Sequence, residues 1–247
     1  MPFTLSHAVV ALPFVRARRL SAAAIAAGAM VPDLPLFAPV GVSYEVTHQL
    51  WAAPTVDLVL GCLALLVWAV VIRPALVAVA PAGVRRRVPP DTDRASVPRL
   101  SLLVLISIAL GSVTHVVWDT FTHEGRLGTR LLPVLNHHLG SLAVASVLQY
   151  ASSVVGLVLL LVAAGVALHR TPPAPTAPSR LGRAQAPLLG LALLALVVPA
   201  GLEALAVRGS IATRALAVAT GSIDGVAVVL FVVGIVLGFR PAAPRRP

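Results

Sequence analysis

The chain has 247 residues, 58% of them hydrophobic and only 11% charged, with a single cysteine. A composition this apolar, gathered into long runs, excludes an ordinary soluble domain and places the chain among polytopic membrane proteins. The 19 basic residues are all arginine and give a formal charge of +10; clustered between the apolar runs, they fit anionic lipid head groups and the positive-inside bias better than nucleic acid.

The N-terminus, Met1-Pro-Phe-Thr-Leu-Ser-His-Ala, has no basic leader and no cleavage site after an apolar core, so His7 is expected to stay in the mature protein. Ser6 or Thr4 can cap a short helix from about Leu5 to Val15, closed by the turn holding Arg16, Arg18 and Arg19. An Ala-rich helix over Ser21 to Met30 follows, and the two prolines of Val31-Pro32-Asp33-Leu34-Pro35 stop it. Packed as a hairpin, these two helices bring His7 and Asp33 together. Each is shorter than the roughly twenty residues that cross a bilayer, so the hairpin is expected to be thin or re-entrant.

Phe37 to Pro54 reads as a loop carrying Glu45 and Thr47-His48. The first clear span is expected from Thr55 to about Ile72, ended by Arg73-Pro74, with Asp57 near its start. A carboxylate at that depth faces protein or water, which makes Asp57 a candidate for the site or its support. Cys62 lies inside this apolar run; a lone cysteine excludes an internal disulfide and a thiolate metal site. Pro81 to Pro98, rich in arginine and proline, reads as a solvated loop, and Leu100 to Trp118 as the second span.

The second span leads into Gly111-Ser-Val-Thr-His-Val-Val-Trp-Asp-Thr-Phe-Thr-His-Glu-Gly125, where His115, Asp119 and His123 recur every four positions. On a helix running through Thr122 these side chains share one face. Imidazole and carboxylate are ligands that zinc, manganese or iron accept, and two of them one turn apart can grip a single ion. The third, two turns on, suits a second ion or a flanking role. A structural polar cluster is the competing reading, but ionisable groups at the end of a bilayer-compatible segment are functional by default.

Gly125 to Gly140 forms a loop with Arg126, Arg130, Asn136 and the adjacent pair His137-His138, whose side chains point in different directions. Leu142 to Leu168 is the third span, interrupted by the polar patch Gln149-Tyr150-Ala-Ser152-Ser153, which can line the site. Pro187 to Val207 and Ala215 to Phe239 complete five spans, the former carrying Glu203 and the latter beginning near Asp224. The expected architecture is all-α and polytopic: five transmembrane helices plus the N-terminal hairpin. It divides into a membrane-embedded core over 1–168, a Pro/Arg-rich linker over 169–185 and two C-terminal helices over 186–247. Arginine placement puts the loops at 85–99 and 170–183 and the tail in the cytoplasm. Asp33, His48, Asp119 and His123 then lie at the outer face of a bacterial plasma membrane.

Met-Pro-Phe-Thr-x-Ser-His at the start, Pro32-Asp33, Thr47-His48 and Gly111-x-x-Thr-His-x-x-Trp-Asp-x-Phe-Thr-His together resemble an uncharacterised family of bacterial integral membrane proteins, a domain of unknown function common in actinobacteria. The resemblance runs from Met1 to about Leu161. More remotely, the order His, Pro-Asp, Thr-His, His-x-x-x-Asp is similar to inner-membrane metal-dependent hydrolases, and the last of these to the zinc-ligand helices of zinc-dependent phospholipase C. The hydrolases carry a fuller Pro-Asp-x-Asp-His and His-Arg-x-x-Thr-His, where this chain has Leu34-Pro35 after Asp33 and Val46 before Thr47. The resemblance implies His7, Asp33, His48, His115 and Asp119 as metal ligands, with His123 added from the same motif.

The leading expectation is a membrane-embedded hydrolase of a phosphoester such as a lipid head group. It would use one or two divalent ions, zinc first among them, with Asp57 or Glu124 taking the proton from water. A proton or metal-ion transporter using the same residues as a relay, and a non-catalytic protein stapled by a structural metal, are the alternatives.

Overall fold

The computed structural model describes residues 4–17, 19–88, 100–140 and 142–174, with 187, 188, 190 and 194 beyond them. The chain divides into two compact units, one comprising Met1–Leu65 and Pro98–Ala167, the other Leu66–Val97 and Leu168–Pro247. The described residues are mostly helical. Both expected C-terminal spans, with Glu203 and Asp224, fall almost entirely outside them, as does the linker from residue 175 onward.

The first segment, Thr4–Phe14, is a 3-10 helix containing Pro13. Helix α1 (Ala22–Met30) starts at Ser21, whose side chain caps it by accepting from the Ala24 amide. It stops where Pro32 enters, and a 3-10 turn over Val31–Leu36 carries Asp33 inward. A single helical turn, α2 (Tyr44–Thr47), then presents His48 at its C-terminal end.

Helix α3 (Val56–Val79) is the first of three helices among the described residues that are long and apolar enough to cross a membrane. It outruns the expected end at Arg73-Pro74. Trp68–Ile72 forms a π turn in which the Arg73 amide bonds the Trp68 carbonyl, and Pro74 then occupies the start of a fresh helical stretch. The wider turn restarts the hydrogen-bond register just where proline supplies no donor, so the helix continues instead of breaking. A short turn, α4 (Ala82–Arg85), follows.

Helix α5 (Leu102–Thr122) is the second span and α7 (Val144–Arg170) the third. Between them lie α6 (Leu127–Leu131) and a two-stranded hairpin of β1 (His138–Leu139) with β2 (Leu142–Ala143), which pairs His138 with Ala143. Helix α7 extends to Arg170, so residues 169 and 170 of the expected linker are helical. Its outward residues, such as Val154, Leu161 and Val162, are more than half exposed, the apolar face that a lipid environment covers.

The centre of the first unit is the contact between α1 and α5. A side chain at Gly28 would overlap the Ile108 backbone, and one at Gly111 would overlap the Ile25 carbonyl. Glycine at both positions lets the two backbones touch, the close approach that small residues permit between membrane helices. Ala24, Ala27, Leu65 and Ile108 form the buried cluster around that contact. Ser107 reaches across it to accept from the Ser21 amide at 3.1 Å.

Candidate metal centre

Close backbone approach fixes the position of His115, one turn beyond Gly111. Its Nδ1 lies 2.7 Å from the Ala29 carbonyl at the end of α1. A carbonyl only accepts, so Nδ1 carries a proton, and the ring in its neutral form presents the Nε2 lone pair on its other side. His48 is held in the same way, its Nδ1 2.9 Å from the Tyr44 carbonyl. An outer hydrogen bond from Nδ1 to a carbonyl is the usual support of a histidine that ligates through Nε2.

Opposite these nitrogens stand two carboxylates. Thr4 donates to Asp33 Oδ2 at 2.7 Å and leaves Oδ1 facing inward. Thr47 pins the turn that carries Asp33, donating to the Pro32 carbonyl at 2.7 Å. Asp119 sits one turn after His115 on α5. His48 Nε2 is 3.6 Å from Asp33 Oδ1 and 3.5 Å from Asp119 Oδ2. His115 Nε2 repeats both separations, 3.6 Å and 3.5 Å. The four donor atoms lie within 4.8 Å of one another, all on buried residues.

These separations are too long for charged N–H to carboxylate bonds, which close to about 2.7–2.9 Å. They are close to the ~3.3–3.4 Å between ligand atoms that a tetrahedron with bonds of about 2.0–2.1 Å requires. Six of the eight buried side-chain atoms that lack a hydrogen-bond partner among the described residues belong to this one cluster: His7 Nε2, Asp33 Oδ1, His48 Nε2, His115 Nε2 and both Asp119 oxygens. A buried polar atom without a partner costs about 1–3 kcal/mol, and more when charged. Lone pairs converging from four sides are satisfied together by a cation. Two neutral imidazoles and two carboxylates leave a charge that a dication cancels. The cluster of Asp33, His48, His115 and Asp119 can therefore hold a metal ion.

The remaining expected residues take other places. His7 stacks on His115, ring centroids 3.8 Å apart, with Nε2 3.8 Å from Asp119 Oδ1, beside the four donors. His123 is where α5 ends, its backbone extended at φ −120 and ψ 130; its Nδ1 lies 3.6 Å from Asp119 Oδ2, but it is not among the four converging donors. Its Nδ1 is 3.2 Å from the Asp119 carbonyl and its Nε2 3.2 Å from the Gln149 amide nitrogen, which occupies both ring nitrogens. Burial pushes the His123 pKa down, so the ring is neutral near pH 7. Asp57 is fully buried, accepts from Ser112 at 2.6 Å, and feels the charges of His48 and His115 without joining the donor set. Glu124 is exposed on the turn after α5, and His137 and His138 are exposed at the hairpin.

Burial opposes the protonated form of His48, but Asp119 and Asp33 outweigh it and raise its pKa to about 9. Tyr44 lies against the His48 ring at 3.7 Å. It escapes a search for ligand types, although its place four residues before His48 marks it as a neighbour on one helical turn. Thr4 and Thr47 support the two loop-borne donors, and both stand inside the short motifs that carry His7, Asp33 and His48.

The family model described as domain of unknown function (DUF4184) matches residues 1–239. The chain belongs to the DUF4184 family. The match takes in every donor of the cluster and all three spanning helices of this DUF4184 chain. No curated protein and no solved structure matches it.

Proposed function

We propose that this protein is a membrane-embedded, metal-dependent hydrolase of phosphoesters, with zinc the first candidate ion. The single observation that carries the reading is the convergence of two imidazole Nε2 atoms and two carboxylate oxygens, none with a hydrogen-bond partner among the described residues, at tetrahedral spacing. A nitrogen and oxygen donor set without sulfur suits zinc, manganese or iron(II). His48 and His115 would bind through Nε2, Asp33 through Oδ1 and Asp119 through Oδ2. When bound, such an ion supplies Lewis acidity toward a phosphoryl oxygen and makes water acidic near neutral pH.

The chain's own residues divide the remaining work. Thr4, Ala29, Tyr44 and Thr47 keep the donors aimed before any substrate arrives. Of the two carboxylates named from sequence as proton acceptors, Asp57 is the one inside the protein, with Oδ1 unpartnered and near enough to His48 and His115 to feel their charge. His7, whose pKa burial and the adjacent His115 lower to about 4, is a poor proton acceptor and faces Asp119 Oδ1 as a neutral ring. The three apolar helices and the arginine distribution support a multi-pass protein of the bacterial plasma membrane with this site toward the outer face.

Two measurements test the reading. Elemental analysis of gently purified protein should give about one tightly held divalent ion per chain. A panel of water-soluble and lipid phosphoesters should then show turnover that Asp119→Ala abolishes. Protein that stays metal-free when dialysed against micromolar zinc, manganese or iron would remove it.

A further inference from the structure

Once Asp33 and Asp119 have neutralised a dication, the centre itself has little charge left to attract an anion. A positive group beside it is needed, and one is present. Arg126 is half-buried on the turn after α5, its guanidinium over the Tyr44 ring with Cζ 6.0 Å from the centroid. Tyr44 in turn stacks on His48, so a single ring separates the guanidinium from a donor of the cluster.

Among the described residues the Arg126 guanidinium has no hydrogen-bond acceptor and no ion-pair partner. Every ion pair among the described residues joins a histidine to a carboxylate, and none includes an arginine. Glu45, an acid whose charge Arg126 feels, is exposed. A half-buried guanidinium held by an aromatic face, with its planar fork unpaired, is built to meet an oxyanion through two parallel N–H bonds.

We propose that Arg126 grips the phosphoryl oxygens of an anionic substrate at the mouth of the metal centre. The assignment rests on the hydrolase reading above and names its substrate class. The segment that follows Arg126 carries exposed apolar residues, with Leu127, Leu131, Val134 and Leu139 all more than half exposed. A lipid head group and a free phosphate therefore share the chemistry that Arg126 recognises, and the test separates them.

Zinc-loaded protein in nanodiscs is titrated with inorganic phosphate and, separately, with dihexanoyl phosphatidate. The expected result is binding that Arg126→Gln weakens about tenfold or more and Arg126→Lys weakens less, since lysine keeps the charge but not the fork. Arg130→Gln, at an exposed arginine on α6, should bind like the wild type, and all variants should hold equal zinc. Tighter binding of the phosphatidate, still dependent on Arg126, identifies a lipid source; equal binding identifies free phosphate; both uphold the assignment. Unchanged binding by Arg126→Gln overturns it while leaving the hydrolase reading intact, and loss of zinc by that variant overturns it in favour of a structural role. Wild-type protein that holds zinc and binds neither phosphate probe sinks the hydrolase reading and this assignment together.

Discussion

His115 and Ala29 are joined across 86 positions of sequence by a 2.7 Å hydrogen bond from the ring to the backbone carbonyl. That bond depends on Gly111, one turn earlier on α5, where even a methyl group would overlap the Ile25 carbonyl. Gly111→Ala is therefore expected to destabilise the protein by about 1–3 kcal/mol and to weaken metal binding by moving His115 off its carbonyl. Thermal unfolding in detergent, read alongside metal content, checks both. A variant as stable and as metal-rich as the wild type would show that the helices have room to spare.

Removing a donor should act on the ion far more than on the fold. His115→Ala and Asp119→Ala are each expected to lower affinity by more than about 100-fold, beyond the ~10–100-fold cost of losing an outer partner. Helical content by circular dichroism should be retained, because the α1 and α5 contact rests on Gly28, Gly111 and the cluster around Ile108. Bound metal counted per chain after gel filtration decides the matter.

Thr4 touches no donor atom that faces the ion; it holds the other oxygen of Asp33. Thr4→Val should free that carboxylate to rotate and cost about 10–100-fold in metal affinity with little change in stability. Competition against a chelator of known strength measures it. An unchanged affinity would mean that the Val31–Leu36 turn alone aims Asp33.

The pKa of His48 sets a pH dependence with a definite sign. In metal-free protein the carboxylates hold the proton on His48 up to about pH 9, against an ordinary value of 6.5. A pKa raised on folding stabilises the metal-free fold fully below pH 6.5, and that contribution is lost as pH rises through 9. Metal binding must displace the same proton, so affinity should climb by about tenfold per pH unit between 7 and 9 and then flatten. Isothermal titration at several pH values, in buffers of different ionisation enthalpy, counts the protons released. A profile flat from pH 7 to 9 contradicts the proton assignment.

Much of the site was legible in local patterns, and what was not depended on contacts between distant segments. His115 and Asp119 followed from helical spacing, because α5 does run through Thr122. The hairpin predicts that His7 meets Asp33; Thr4 makes the direct contact with Asp33, and His7 instead faces Asp119. His123 keeps its contact with Asp119 but stands at the helix end with Gln149 on its other nitrogen, and helical periodicity does not announce its own last turn. The continuation of α3 past Pro74 was equally hidden, since a π turn leaves no mark in hydrophobic spacing. The paired glycines at Gly28 and Gly111 are visible in the sequence, but their partnership emerges only when α1 and α5 lie against each other.

The four donors come from both sides of the long apolar stretch at 56–79: Asp33 and His48 precede it, His115 and Asp119 follow. During synthesis the early pair must wait until the residues up to Asp119 have emerged. An ion held by the finished quartet would therefore fasten the earliest part of the polypeptide to a helix made much later.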